Sequence, residues 1–333
     1  MKKVIIAILS VFIIAVLYSC VKQNPTQPVA TPTPNATQTV IALSFTPTAT
    51  CTITQTCTST PTPIQPIMVL TGFFGPGDVA IDKSGNIFVA DNGNKRIVKY
   101  DLTGKYLSQI TSYAGGVLFL STSSVAVDSN NNLYVSDYVN AVVVKFDSNG
   151  NYVINVGTNA DYWLPDGIAI DHNDNLLIVD IINNKIVEFY SSGPNVGNFG
   201  SKGSENGQFD APEGVAVDSQ NNIYITDTNN NRVEKFDSSY NFILKFGSEG
   251  SGNGQFNGPD GIAIDKNDNI YVGDYKNNCI QKFDTNGNYI SRWGRYGHDL
   301  GEFVTVDGIA VDSTGNIYAA DDGNNRIQVF PPQ

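Results

Sequence analysis

Six copies of one short motif recur along the chain, an apolar residue, alanine, a second apolar residue and aspartate: Val79-Ala80-Ile81-Asp82, Val125-Ala126-Val127-Asp128, Ile168-Ala169-Ile170-Asp171, Val215-Ala216-Val217-Asp218, Ile262-Ala263-Ile264-Asp265 and Ile309-Ala310-Val311-Asp312. They are spaced 43 to 47 residues apart. A period of that length marks an array in which each repeat is one supersecondary unit that buries its faces only against its neighbours. Every copy runs through a polar turn closed by Asn (Asn86, Asn132, Asn175, Asn222, Asn269, Asn316) into an apolar run that ends at a second Asp. In that turn Gly85, Asn131, Asp174, Asn221, Asp268 and Gly315 occupy the place that calls for positive φ, which these residue types tolerate best. A third strand follows, as in Arg232-Val233-Glu234-Lys235-Phe236, then another polar turn and a fourth strand such as Phe242-Ile243-Leu244-Lys245-Phe246. Four short strands per repeat, with no helical period, predict an all-β fold: a six-bladed β-propeller of four-stranded blades. The inner strands alternate weakly because each blade is packed between two others.

Repeat six ends after its third strand, Arg326-Ile327-Gln328-Val329-Phe330, which leaves one strand missing. Val69 to Gly75, ahead of repeat one, matches the fourth-strand pattern of Tyr289 to Gly294, so an N-terminal strand is expected to close the ring. The run Pro-acid-Gly-apolar-Ala-apolar-Asp, then Asn-Ile-Tyr, then Asn-x-Arg-Val, as it stands from Pro212 to Val233, resembles the NHL repeat. Repeats one, four, five and six match that pattern closely. Repeat two departs most, with Ser123-Ser124 in place of acid-Gly and Val142 in place of the basic residue, and repeat three has a degraded fourth strand from Pro194 to Gly200. The resemblance implies the propeller. It implies no single activity, because similar propellers include protein-binding and RNA-binding domains, sensor ectodomains of bacterial kinases, lyases and lactonases.

Composition divides the rest of the chain. Residues 1–20 read as a signal peptide: Lys2 and Lys3 precede an apolar run from Val4 to Leu17, which ends in the lipobox-like Leu17-Tyr18-Ser19-Cys20. Cys20 is the expected lipidation site, and an ordinary cleaved signal or an uncleaved anchor is the alternative; each exports the remainder. Residues 21–66 are dominated by Thr and Pro and carry one charge, Lys22, so they read as a disordered linker between membrane and propeller. Cys51 and Cys57 in that linker are close enough to bridge, to remain free or to join two chains. The propeller itself is assigned to residues 67–333.

Within the propeller the second Asp of each repeat (Asp91, Asp137, Asp180, Asp227, Asp274, Asp321) reads as a turn and ion-pair device that every blade needs. A further acidic set, Asp78, Asp166, Glu213, Asp260 and Asp307, precedes the innermost strands and is expected at the mouth of the central channel. There it serves either as a turn device or as oxygen ligands for Ca²⁺, the latter giving a metal-dependent lyase or lactonase through Asp166, Glu213, Asp260 and Asp307. The two histidines, His172 and His298, fall on opposite faces and cannot share a metal, no catalytic residue stands out, and Cys279 reads as an apolar filler. All 32 acids lie in the propeller against 17 of the 20 basic residues, a net charge of −15 there, which argues against nucleic acid as partner. Specific function is expected where repeats disagree. Tyr138-Val139, Ile181-Ile182 and Tyr275 replace polar loop residues in blades two, three and five, Val117 to Leu120 lead into blade two, and Tyr162-Trp163 lead into blade three. These predict an apolar patch on one face that recognises a protein, peptide or glycan without a cofactor, on a chain tethered to the membrane through its N-terminus.

Overall fold

A computed structural model describes residues 64–157 and 163–333. The signal-like segment with Cys20, the Thr/Pro stretch with Cys51 and Cys57, and Tyr162 lie outside the described residues.

The polar turn after the first strand shows how local chemistry sets the blade. Asp82 closes it on itself: its Oδ1 accepts the backbone N–H groups of Ser84 and Asn86, each at 2.8 Å, while Asn86 Nδ2 donates to Oδ2 at 2.6 Å. The residue before the Asn must then take a left-handed conformation, and all six expected positions do, with φ from 60° at Asn221 to 93° at Gly315. The same Asp-to-Asn clamp recurs at Asp128, Asp171, Asp218, Asp265 and Asp312.

Six four-stranded antiparallel sheets result. Blade four is representative: Pro212–Val217, Ile223–Asp227, Arg232–Phe236 and Phe242–Phe246 pair in sequence order. The second strand of every blade is buried at all five positions, so its sequence is apolar up to the terminal Asp except at Ser136 and Thr226. Blade six draws its outer strand from the other end of the propeller: Met68–Thr71 runs antiparallel to Arg326–Phe330, with Leu70 opposite Ile327. Among the described residues the apolar core falls into six clusters, one between each pair of neighbouring blades. Leu177, Val179 and Ile186 of blade three, for example, pack on Val215, Ile223 and Ile225 of blade four.

Candidate functional site

The second Asp of each blade is wholly occupied in holding the chain that enters the blade. Asp227 Oδ1 accepts the Asp210 N–H at 2.7 Å, and its Oδ2 accepts Asn230 Nδ2 at 2.8 Å and Arg232 Nε at 2.7 Å. Asp91, Asp137, Asp180, Asp274 and Asp321 accept the same incoming N–H and the same Asn amide. Burial raises the carboxyls of Asp137, Asp180, Asp227, Asp274 and Asp321, while the Asn and backbone donors pull them back. These acids serve the scaffold in all six blades, as the repeat pattern suggests.

Around the central axis the inner strands touch backbone to backbone. A Cβ added at Gly167 would collide with the carbonyl of Glu213, at Gly214 with that of Asp260, and at Gly261 with that of Asp307. The acids Asp166, Glu213, Asp260 and Asp307 stand one residue before these close approaches and Gly308. Asp78 does not belong to that set, which corrects its grouping with them. Blade one reads Gly77-Asp78 where the others read acid-Gly, so Asp78 takes the glycine position, and a Cβ at Gly308 would strike its carboxylate. The glycine place in blade two is held by Ser124, whose hydroxyl donates to Asp78 Oδ2 at 2.5 Å; the Val125 N–H donates to the same oxygen at 3.0 Å. Burial deep in the ring, with a smaller contribution from Asp260, pushes the Asp78 carboxyl up to about 7 despite these donors. No three His, Cys, Asp or Glu side chains among the described residues come together as a metal site, so the channel acids gain no ligand geometry from the fold.

The loop joining the second and third strands of each blade bonds to the connection that enters it: Gly93 N–H to Phe74 O, Tyr138 N–H to Ser121 O, Ile181 N–H to Leu164 O, Asn229 N–H to Asp210 O, Lys276 N–H to Asn257 O and, in blade six, Gly323 N–H to Thr305 Oγ1. The two segments therefore form one face together. On blades one to three that face exposes Phe74 (56%), Leu118 (64%), Leu120, Val139 (38%) and Ile182 (40%). Tyr138 and Tyr275 are half-buried. Trp163 and Ile181 turn inward instead, at 6% and 7% exposure, so neither presents a side chain to a partner. Trp163 is claimed by packing: its indole lies where a Cβ on Gly157 would be and its Nε1 donates to Ala141 O at 3.0 Å. It takes the role of the buried Phe that enters other blades, where Phe209, Phe256 and Phe303 press on Gly200, Gly247 and Gly294 in the same way. Phe74 and Leu118 complete the exposed set; Phe74 was not singled out because it sits within a segment that matches the fourth-strand pattern.

These landmarks, from the buried Phe of the connection to the aromatic that ends the third strand, coincide with the segments that match the NHL repeat family: residues 73–100, 209–236, 256–283 and 303–330. The chain carries NHL repeats. No curated protein matches it. Its fold is shared by virginiamycin B lyase from Staphylococcus aureus (15% identity, 80% of this chain and 88% of that one, TM-score 0.56). A protein of unknown function from Bacteroides thetaiotaomicron is similar over 78% of this chain and 70% of its own, at 16% identity and TM-score 0.62. A gluconolactonase from Xanthomonas campestris is similar over 81% and 95%, at 13% identity and TM-score 0.61. Identities this low carry the architecture alone.

Among the described residues of this NHL propeller, both histidines and Cys279 are occupied by the fold. His172 Nε2 lies 3.0 Å from Asp218 O in a turn of one face, and His298 Nδ1 lies 2.6 Å from Asn324 Oδ1 in a connection of the other. Cys279 is fully buried, and burial pushes its thiol up to about 12, which leaves it inert as a nucleophile at neutral pH.

Proposed function

We propose that this chain is an exported, membrane-tethered recognition module that binds a protein or peptide through the propeller face carrying Phe74, Leu118, Leu120, Val139 and Ile182. The observation that supports the reading is the contrast between the two halves of that face. Positions that are apolar and exposed in blades one to three are Asp210, Asn229, Asn257 and Lys276 in blades four and five. Folding alone gives no reason for an apolar half, since the polar blades build the same loops with the same hydrogen bonds. Covering such side chains returns about 25 cal/mol per Å² of apolar area, and the acidic remainder of the propeller disfavours acidic partners. Export and tethering rest on the sequence of residues 1–66, with Cys20 as the lipidated residue.

A doubly substituted Leu118→Asp/Ile182→Asp chain tests the face. Envelope proteins cross-linked to the wild type in cells, identified by mass spectrometry, are expected to be lost from the variant while its melting temperature stays within a few degrees. A wild-type set that the variant retains in full rules out this face. The alternative, a Ca²⁺-dependent lyase or lactonase at the channel mouth, draws on four acids placed one per blade, Asp166, Glu213, Asp260 and Asp307. Calorimetric titration with Ca²⁺ decides that reading, and a one-to-one binding isotherm abolished by Glu213→Gln would favour it over the recognition module.

A further inference from the structure

Blades four, five and six are entered by connections of one design. The N–H groups of Gly203, Gly250 and Gly297 donate to the carbonyls of Phe209, Phe256 and Phe303, whose own N–H groups donate back to those of Ser201, Ser248 and Arg295. The side-chain amides of Asn230, Asn277 and Asn324 then donate to the three glycine carbonyls in turn. What differs is the exposed side chains. Blade four carries Lys202 and Ser204, blade five Glu249 and Ser251, and blade six, at the same two places, Tyr296 and His298. Tyr296 is 64% exposed, and its ring lies 6.2 Å from that of His298 at 67°. The polar loops close with the same bonds, so folding does not ask for an aromatic pair here.

The fold holds His298 by Nδ1 and thereby sets its tautomer. Asn324 Nδ2 donates to Asp321 at 2.9 Å and to Gly297 O at 3.0 Å, which turns Asn324 Oδ1 towards His298. That oxygen lies 2.6 Å from Nδ1 and can only accept. Neutral His298 therefore carries its proton on Nδ1 and a lone pair on Nε2, in a ring oriented before any ligand arrives. Beside it Asp299 is exposed, and the neighbouring cation, Arg295, is taken up by Glu302 at 2.7 Å. These groups select a ligand. Two acceptors, Nε2 and the Asp299 carboxylate, call for donors, the open tyrosine ring calls for a C–H surface, and with Arg295 spent on Glu302 the loop offers little to an anion. Two rings and a carboxylate fall far short of the about 800 Å² per partner that a stable protein interface covers, so the loop suits one small unit.

We propose that the Tyr296–His298 loop of blade six binds one sugar unit of a neutral glycan, its apolar side on the Tyr296 ring and its hydroxyls donating to His298 Nε2 and the Asp299 carboxylate. The site draws on none of the apolar side chains of blades one to three, and either reading can fail alone.

Saturation-transfer NMR on the full chain tests it, with the methyl glycosides of glucose, galactose and N-acetylglucosamine as neutral probes and lysine methyl ester as a cationic one. At least one glycoside is expected to bind with a Kd on the order of 1 mM. Tyr296→Glu/His298→Ser gives the loop the residues that blade five already folds, so it should melt within a few degrees of the wild type while weakening that glycoside about tenfold or more. Tyr190→Ser, at an aromatic 51% exposed elsewhere on the propeller, should leave binding unchanged, as should Leu118→Asp/Ile182→Asp. The proposal is overturned if no glycoside binds the wild type at about 10 mM, if lysine methyl ester alone binds, if Tyr296→Glu/His298→Ser binds as the wild type does, or if Tyr190→Ser loses as much as that variant.

Discussion

At the scale of single residues, Asp78 is where this propeller departs from its own repeat. Four blades put glycine at that place because the neighbouring strand leaves no room for a Cβ. Blade one puts a carboxylate there and blade two a serine that donates to it. The folded carboxyl titrates near 7 and the unfolded one near 3.8. Between those values the native state holds a proton that the unfolded chain releases, so stability falls as pH rises from about 4 to 7 and is level outside that window. Within the window one proton sets the slope at about 1.4 kcal/mol per pH unit; Asp78 is partly exposed, which lowers the shift and narrows the window. In Asp78→Asn that dependence is expected to vanish. Its melting temperature relative to wild type should rise from pH 4 to pH 7 and then level off, and a constant offset across pH 4 to 8 would show that Asp78 is ionised throughout.

At the scale of elements, what holds each connection down differs from blade to blade, and the difference is measurable. Arg232 is almost fully buried, pairs with Asp227 at 2.7 Å and Glu234 at 3.0 Å, and reaches the carbonyls of Ser204, Glu205 and Gln208. Arg96 is more exposed, pairs with Asp91 as its one acid, and reaches the Gly72 carbonyl and the Gln109 side-chain amide. Replacing Arg232 by Met strands two buried carboxylates and should cost about 3–5 kcal/mol in urea unfolding, whereas Arg96→Met should cost about 1–2 kcal/mol. Equal losses would mean that the ion pairs, and not the loop they hold, set the cost. The hairpins were legible in advance because Asp, Asn and Gly have local reasons to stand where they do: Asn221 and Asp268 take positive φ whatever surrounds them. The face was only partly legible. Whether Ile181 or Ile182 points outward depends on how the entering chain seats, and Trp163 turns inward because it takes the place against Gly157 that a buried Phe takes in other blades. The order Gly77-Asp78 carried the exchange at the axis, a shift of one place that aligning on composition alone hides.

At the scale of the whole molecule, a propeller is a ring of six apolar interfaces, and each depends on the ring being closed. The interface between blades six and one contains Leu70, contributed by a strand that precedes the first repeat and pairs with the last: Val69 opposite Gln328, Leu70 opposite Ile327, Thr71 opposite Arg326. A chain beginning at Phe73 keeps all six repeats but leaves the Arg326–Phe330 edge unpaired and uncovers the core beneath Leu70. The lost backbone bonds contribute about 0.5–1.5 kcal/mol each and the lost leucine about 2–4 kcal/mol. For a domain of this size that corresponds to a fall in melting temperature of about 10–20 °C. The exposed edge is also a template for pairing with another copy, so the shortened chain should self-associate where the longer one does not. A synthetic peptide spanning Ile64 to Gly72 should restore the melting temperature in proportion to its occupancy, and the same peptide with Leu70→Asp should not. If the shortened chain melts with the longer one, the sixth blade is stable on three strands and the ring is held by its inner glycine contacts alone.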